Sequence, residues 1–295
     1  MFSYTSIAEL VTAAEQQKKH ISDLVLADQA EALEQSPKEL FNKMTEDLYV
    51  MQEAVKFGER PDQKSTSGLT GGEGWKMKQY VNRTQGGLGG EIINHAIGRA
   101  LSVAGCNASM GRIVATPTAG SCGILPGCLL TMLEDEDKDQ RDVVMSIFTA
   151  GAFGMVIAQN ACIAGAQGGC QAECGSASGM AAAALVELAK GTPQQCADAC
   201  AIAIANQLGL VCDPVAGLVE IPCIKRNASG VVIAFSAADM ALAGIRSAIP
   251  VDECIEAMRQ VGNALPTALR ETAGGGLATT KTGLALKEKV FGKEK

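Results

Sequence analysis

The sequence has few aromatic residues and almost no histidine. Phe, Tyr and Trp together make up 4% of 295 residues, and His20 and His95 are its two histidines. Sheets are enriched in aromatic and β-branched side chains, so a chain rich in alanine and glycine instead points to closely packed helices. So few histidines argue against a histidine-rich zinc site. There is no Cys-x-x-Cys pair. Positive charge is also in deficit: 25 basic residues face 32 acidic ones, for a formal charge of -7, which argues against a nucleic-acid surface. The basic residues Lys287, Lys289, Lys293 and Lys295 read as a solvated tail. Met1 to Leu10 has no basic n-region, and Glu9 and Glu15 interrupt any apolar h-region, so no secretory signal is expected. The longest apolar run, Val143 to Ala158, is short for a membrane span and reads as a buried core helix. The expected compartment is the cytoplasm, with neither membrane nor nucleic acid as partner.

What is present is a mainly α pattern. Ser6 with Glu9 reads as a capping box, and Ser36-Pro37 is expected to open a helix whose apolar face is Leu40, Met44, Leu48, Met51 and Val55. Ser22 is expected to cap the helix between them. Helices over about 5–57 read as peripheral packing without chemistry. Alanine-rich helices are expected from 178 to 191, from Thr192-Pro193 to Leu208 or Gly209, and from Val231 to Arg246. One domain over 1–295 accommodates them all. No βαβ alternation appears.

Loops of small polar residues interrupt the helices. Ser65-Thr66-Ser67-Gly68-Leu69-Thr70-Gly71-Gly72 lacks the Gly-Lys-Ser/Thr ending of a P-loop. Its glycines permit a nest of inward N–H groups for a substrate carboxylate; a flexible surface loop is the other reading. Thr116 to Gly127 is the second such loop and includes Thr118, Ser121 and Cys122. Thr272 to Thr280 is a third, either closing over a site or lying at the surface. His95 follows the first glycine-rich region on a helix. It reads as a structural residue or as one facing the same pocket. Cys122 as a nucleophile would need His95 as its base.

The chain has 11 cysteines. Cys106, Cys128, Cys162, Cys196 and Cys200 read as core thiols. Cys170, Cys212 and Cys223, within a region of about 165–230, instead sit at helix boundaries beside polar neighbours. Lys225 and Arg226 add positive charge, which lowers a thiol pKa and stabilises an anionic cluster. Buried unpaired cysteines are the other reading of these three. Three thiolates on a four-iron cluster leave one iron free to act as a Lewis acid, unlike an electron-transfer cluster held by four protein ligands. Lys225 and His95 are the candidates for proton handling, and Cys174 is an alternative ligand.

Five pieces in this order carry a family resemblance: Ser65 to Gly72, Thr118-Ala119-Gly120-Ser121-Cys122-Gly123, Gly169-Cys170-Gln171-Ala172-Glu173, Cys212-Asp213-Pro214 and Pro222-Cys223. The chain resembles, over nearly its whole length, the α chain of the bacterial iron–sulfur L-serine dehydratase. That resemblance implies conversion of L-serine to pyruvate and ammonia without pyridoxal phosphate, in amino-acid degradation and gluconeogenesis. It implies a [4Fe-4S] cluster held by Cys170, Cys212 and Cys223. It also implies substrate loops at Ser65, Ser67, Gly68, Thr70, Gly71, Thr118 and Ser121, holding the carboxylate and amine of L-serine. The family carries a β domain either in the same chain or as a separate subunit; at this length the expectation is a separate β subunit. Two alternatives stand beside the dehydratase: a related cluster lyase acting on cysteine, and a non-enzymatic iron–sulfur redox sensor.

Overall fold

The computed structural model describes residues 4–292. Two helices begin at capping boxes, whereas at Ser6 only half of the expected box forms, because the Glu9 carboxylate accepts from Thr5 instead. In α3 (Pro37–Gly58) the Ser36 hydroxyl accepts from the Glu39 N–H and Glu39 answers to the Ser36 N–H; in α10 (Pro193–Ala205) Thr192 and Gln195 do the same. Each pair satisfies N–H groups that a helix leaves orphaned at its start. The other helices are α1 (Ile7–Gln17), α2 (Ile21–Ala32), α4 (Glu73–Thr84), α5 (Gly90–Ala108), α6 (Ile124–Glu134), α7 (Gln140–Asn160), the single turn α8 (Gly165–Gly168), α9 (Ser176–Leu188), α11 (Cys223–Leu242), α12 (Val251–Ala264) and α13 (Lys281–Phe291). A one-turn π-helix, Gln171–Gly175, leads directly into α9. Among the described residues there is no β-strand.

Helix α9 is buried along its entire length. Its Ala181-Ala182-Ala183-Ala184 run has no polar face to turn outward, so neighbours cover it on every side. Helices α6, α7, α10 and α11 pack around it. Around α5 a second layer forms from α3, α4, α6 and α11. One apolar core runs from Ile7 to Met258, and α1, α2 and α3 contribute Ile7, Leu10, Ile21, Leu48 and Met51 to it. The N-terminal helices are thus part of the main core. Helix α7 has a mean hydropathy of 1.5 over its most apolar window, and 72% of that window is buried inside the protein, as expected for a core helix.

Several boundaries differ from the sequence reading. Helix α2 starts two residues earlier than expected from Ser22, with His20 at its N-cap and no side-chain bond there. Helix α11 starts at Cys223 and not near Val231, so Cys223 lies in its first turn. Polar Lys225, Arg226 and Asn227 mask the apolar period of that turn. Cys162 lies beyond the end of α7 in a partly exposed turn, where the Ala164 N–H donates to its sulfur at 3.2 Å. Lys293 and Lys295 of the basic tail lie outside the described residues.

Candidate active site

Three separate parts of the chain bring the sulfurs together. Cys170 lies between α8 and the π-helix. Gln171 fixes that junction: its N–H donates to Leu210 O at 2.9 Å, its Nε2 to Met258 O at 2.9 Å, and its Oε1 accepts from the Gly209 N–H at 2.9 Å. One-turn π-helices occur often at functional sites, because they re-aim side chains without ending a helix. Cys212 sits in an extended segment against residues 269–271. Its N–H donates to Leu269 O at 2.9 Å, and its carbonyl accepts from the Glu271 N–H at 2.8 Å. Cys223 comes in from the start of α11.

The Cys170 and Cys212 sulfurs and a Glu173 carboxylate oxygen lie within 4.8 Å of one another. Cys223 is buried nearby, close enough to feel the charges of Cys170 and Glu173. Cys174 is also adjacent, yet it packs into the continuous apolar core; Cys170, Cys212 and Cys223 are buried outside it. Cys174 thus differs from the other three in its surroundings.

The Cys170 charge opposes ionisation of the acidic groups around it. The thiols of Cys174 and Cys212 donate to Cys170 and Arg226 stands beside it, so the Cys170 thiol falls to about 3. Sharing that bond with Cys170, together with burial, pushes Cys212 up. Burial, then the Cys170 charge, pushes the Cys223 thiol up to about 12. Burial, then the Cys170 charge, pushes the Glu173 carboxyl up to about 7, against the Thr118 hydroxyl bond. A cation placed among these groups would turn their mutual repulsion into coordination. Thiolates with a carboxylate beside them suit iron, so the donor set fits a metal centre.

Arg226 ties the sulfurs to their surroundings. It donates to Cys170 Sγ at 3.1 Å, to Val211 O at 2.8 Å and to Asp213 Oδ1 at 2.8 Å. Asp213 Oδ2 in turn accepts from the Leu277 N–H at 2.8 Å. The third small-residue loop is thus fastened to the site through Asp213.

The second hydroxyl loop reaches this region. Thr118 donates to Glu173 Oε1 at 2.9 Å and lies 3.2 Å from Ser121 Oγ. Fully buried Asn227 locks that loop onto α11: its Oδ1 accepts from the Gly123 N–H at 2.8 Å, and its Nδ2 donates to Gly120 O at 2.8 Å and Cys223 O at 3.0 Å. In the first loop the Ser67 and Thr70 hydroxyls both donate to Glu220 Oε2 at 2.9 Å. Ser65 Oγ lies 3.4 Å from Ser67 Oγ and accepts from the Thr70 N–H. Gly68, with φ 73°, permits the turn between them, and Gly71 follows Thr70. The hydroxyls expected to cradle a carboxylate therefore already serve one that belongs to the protein.

The structure does not bring the two expected proton carriers to the sulfurs. His95 Nδ1 lies 2.9 Å from Asp135 Oδ2, and Arg99 holds the same carboxylate. The Thr118–Ser121 loop meets the far end of α5, where Asn107 Nδ2 donates to Ala119 O. Twelve residues of helix separate His95 from Asn107, about 18 Å at 1.5 Å per residue. Lys225 is exposed, and Arg226 is the cation that reaches the sulfurs. Cys122 is fully buried, and burial pushes its thiol up to about 12, so it is no nucleophile paired with His95.

Sequence reasoning gave no role to Glu173, Asp213, Glu220 or Asn227. Glu173 carried a usable signal, lying three residues after Cys170 in a glycine-flanked segment. Glu220 and Asn227 act through contacts across more than 100 residues of chain, which no local pattern displays.

Sulfurs, a carboxylate and the Thr118–Ser121 loop meet at one buried point of this helical fold, a donor set of the kind that metal-dependent enzymes use. Comparison with known proteins narrows the class. The profile of the family described as serine dehydratase alpha chain matches residues 6–278. The chain is 50% identical over 289 residues to the probable L-serine dehydratase, alpha chain, of Bacillus subtilis (strain 168), covering 98% of this chain and 96% of that one. It is 43% identical over 275 residues to the L-serine dehydratase, alpha chain, of Peptoniphilus asaccharolyticus, covering 93% and 94%. Against the L-serine dehydratase of Streptomyces coelicolor it is 44% identical over 183 residues, covering 61% of this chain and 40% of that longer one. The chain belongs to the serine dehydratase alpha chain family.

Proposed function

We propose that this chain is the catalytic α chain of an L-serine dehydratase and works with a separate β chain. The observation that carries the reading is the approach of Cys170, Cys212 and Glu173 to within 4.8 Å in a chain of this family. Residues 1–295 are read as one catalytic domain. All 11 cysteines are unpaired, which supports a reducing, cytoplasmic setting.

The reaction removes the α-proton and the 3-hydroxyl of L-serine as water. The resulting 2-aminoacrylate tautomerises to an imine, which hydrolyses to pyruvate and ammonia. A [4Fe-4S] cluster held by Cys170, Cys212 and Cys223 would supply Lewis acidity to the departing hydroxyl, and no pyridoxal phosphate is required.

The chain's own residues prepare that site. Arg226 favours the thiolate at Cys170. Thr118 orients Glu173, and Asn227 keeps the Thr118–Ser121 loop against the start of α11. Ser65, Ser67, Gly68, Thr70 and Gly71 form a second substrate wall. With Glu220 behind its hydroxyls, that wall favours the substrate's ammonium over its carboxylate. Ser121 and Thr118 form the wall nearer the sulfurs. Since neither His95 nor Lys225 reaches them, the acceptor of the α-proton is assigned to the β chain.

Iron and acid-labile sulfide content of the chain purified without oxygen tests the cofactor, with about four of each expected for this cluster type. Pyruvate release from L-serine and L-cysteine, measured with the β chain present, tests the substrate. Preference for L-cysteine would replace the dehydratase reading with a sulfide-releasing lyase.

A further inference from the structure

We propose that Glu173 is a fourth protein ligand of the cluster, bound to the iron that no cysteine holds. The inference rests on the cluster reading above and goes beyond it, since three cysteines alone leave that iron to solvent or substrate.

The π-helix places Glu173 three residues after Cys170 and on the same side of the chain. Its carboxylate lies with the Cys170 and Cys212 sulfurs inside 4.8 Å. The two oxygens have different surroundings. Oε1 accepts from Thr118 at 2.9 Å. Oε2 lies on the Cys212 side: a Cβ built on Gly165 would stand 2.8 Å from Oε2 and 3.2 Å from Cys212 Sγ. A Cβ on Gly120 would come 3.1 Å from Oε1. Glycine at both positions therefore leaves room for this carboxylate beside the sulfurs.

Glu173 accepts from the Thr118 hydroxyl and the Gly165 N–H but has no cationic partner. Asp213 is held by Arg226 and the Leu277 N–H, and Glu220 by two hydroxyls. Among the described residues, no lysine, arginine or histidine forms an ion pair with Glu173. Arg226, the guanidinium that reaches this site, is engaged by Cys170, Val211 and Asp213. A largely enclosed carboxylate without a cation is costly, and a metal ion is the cation its neighbours are suited to bind. Carboxylate–iron bonds exchange readily. Such a ligand keeps the fourth iron from being lost yet yields to a competing oxygen, and no electron moves in the exchange.

The test is Mössbauer spectroscopy of the isotopically enriched, anaerobically reconstituted full chain, as wild type and as Glu173→Gln. The wild type is expected to show one oxygen-ligated iron site among four. Glu173→Gln is expected to alter that site alone, with iron and sulfide content kept. The variant should also lose its fourth iron faster under mild oxidation, read as earlier growth of the three-iron paramagnetic signal. Superimposable spectra at equal iron content would overturn the proposal. So would hyperfine coupling to oxygen-labelled water in the reduced wild type, a measurement that does not depend on the variant folding. A wild-type chain that binds no iron would instead defeat the cluster reading itself, and this proposal with it.

Discussion

Arg226 reaches Cys170 and Asp213 with one guanidinium, at 3.1 Å and 2.8 Å, and so couples the most thiolate-like sulfur of the site to a buried carboxylate. The Arg226 and Asp213 side chains are 14% and 5% exposed. Removing one member of such a pair leaves the other charge buried and uncompensated, at a cost of about 3–5 kcal/mol. Arg226→Met is expected to destabilise the metal-free chain by that amount in equilibrium unfolding and to lower iron uptake. Arg226→Lys keeps the charge but not the planar fork that serves three partners, so it should recover only part of both. Stability of Arg226→Met within about 1 kcal/mol of wild type would show the pair to be solvated.

Asn227 makes a similar connection without charge. It satisfies Gly123 N–H, Gly120 O and Cys223 O together, holding the loop of Thr118 and Ser121 at a set distance from the sulfurs. Asn227→Ala strands buried backbone groups at about 1–3 kcal/mol each. A loss of about 3 kcal/mol is expected in denaturant unfolding. Asn227→Asp keeps the acceptor for Gly123 N–H and loses the donor, so it should fall between. Equal stability of all three chains would mean that the loop is held by other contacts.

Glu187 gives a pH-dependent prediction away from the site. It is buried against α7, accepts from Thr149 Oγ1 at 2.7 Å and from the Ser22 N–H at 3.3 Å, and burial raises its pKa despite those bonds and the nearby His20. A raised folded pKa means that the native state binds the proton more tightly than the unfolded chain. That stabilisation is full below the ordinary glutamate value of 4.5 and is lost as pH rises through the raised value. The difference in unfolding free energy between wild type and Glu187→Gln should therefore move against the wild type as pH rises from acid toward neutral. A difference that stays flat would place the carboxylate in contact with water.

The helices were legible because their signals are local. Ser36-Pro37 and Thr192-Pro193 each announce a helix start within two residues, and both helices form as expected. The family was legible because its motifs keep their order along the chain. Glu220 and Asn227 were not legible, since the loops they hold lie more than 100 residues away in the chain. The loop of Ser67 and Thr70 reads as an anion nest or a flexible surface loop because sequence displays glycines and hydroxyls. It does not display the carboxylate that those hydroxyls meet once folded.

His95 and Cys174 allow the site to be bounded by substitution. His95 pairs with Asp135 at the other end of α5, so His95→Gln should keep its iron and turn over L-serine with the β chain at close to the wild-type rate. A general acid or base contributes about 10²–10⁴-fold, so a loss of that size would return His95 to proton transfer and require the β chain to remodel α5. Cys174 touches Cys170 but packs in the apolar core, whereas Cys170, Cys212 and Cys223 lie outside it. Cys174→Ala should therefore cost stability, by about 1–2 kcal/mol for a small cavity, and retain iron. Cys170→Ser, Cys212→Ser and Cys223→Ser should each lose iron and activity together. Iron retained in Cys223→Ser but lost in Cys174→Ala would reassign the third thiolate from the start of α11 to the π-helix. All three sulfur ligands would then flank Glu173 on two segments instead of three.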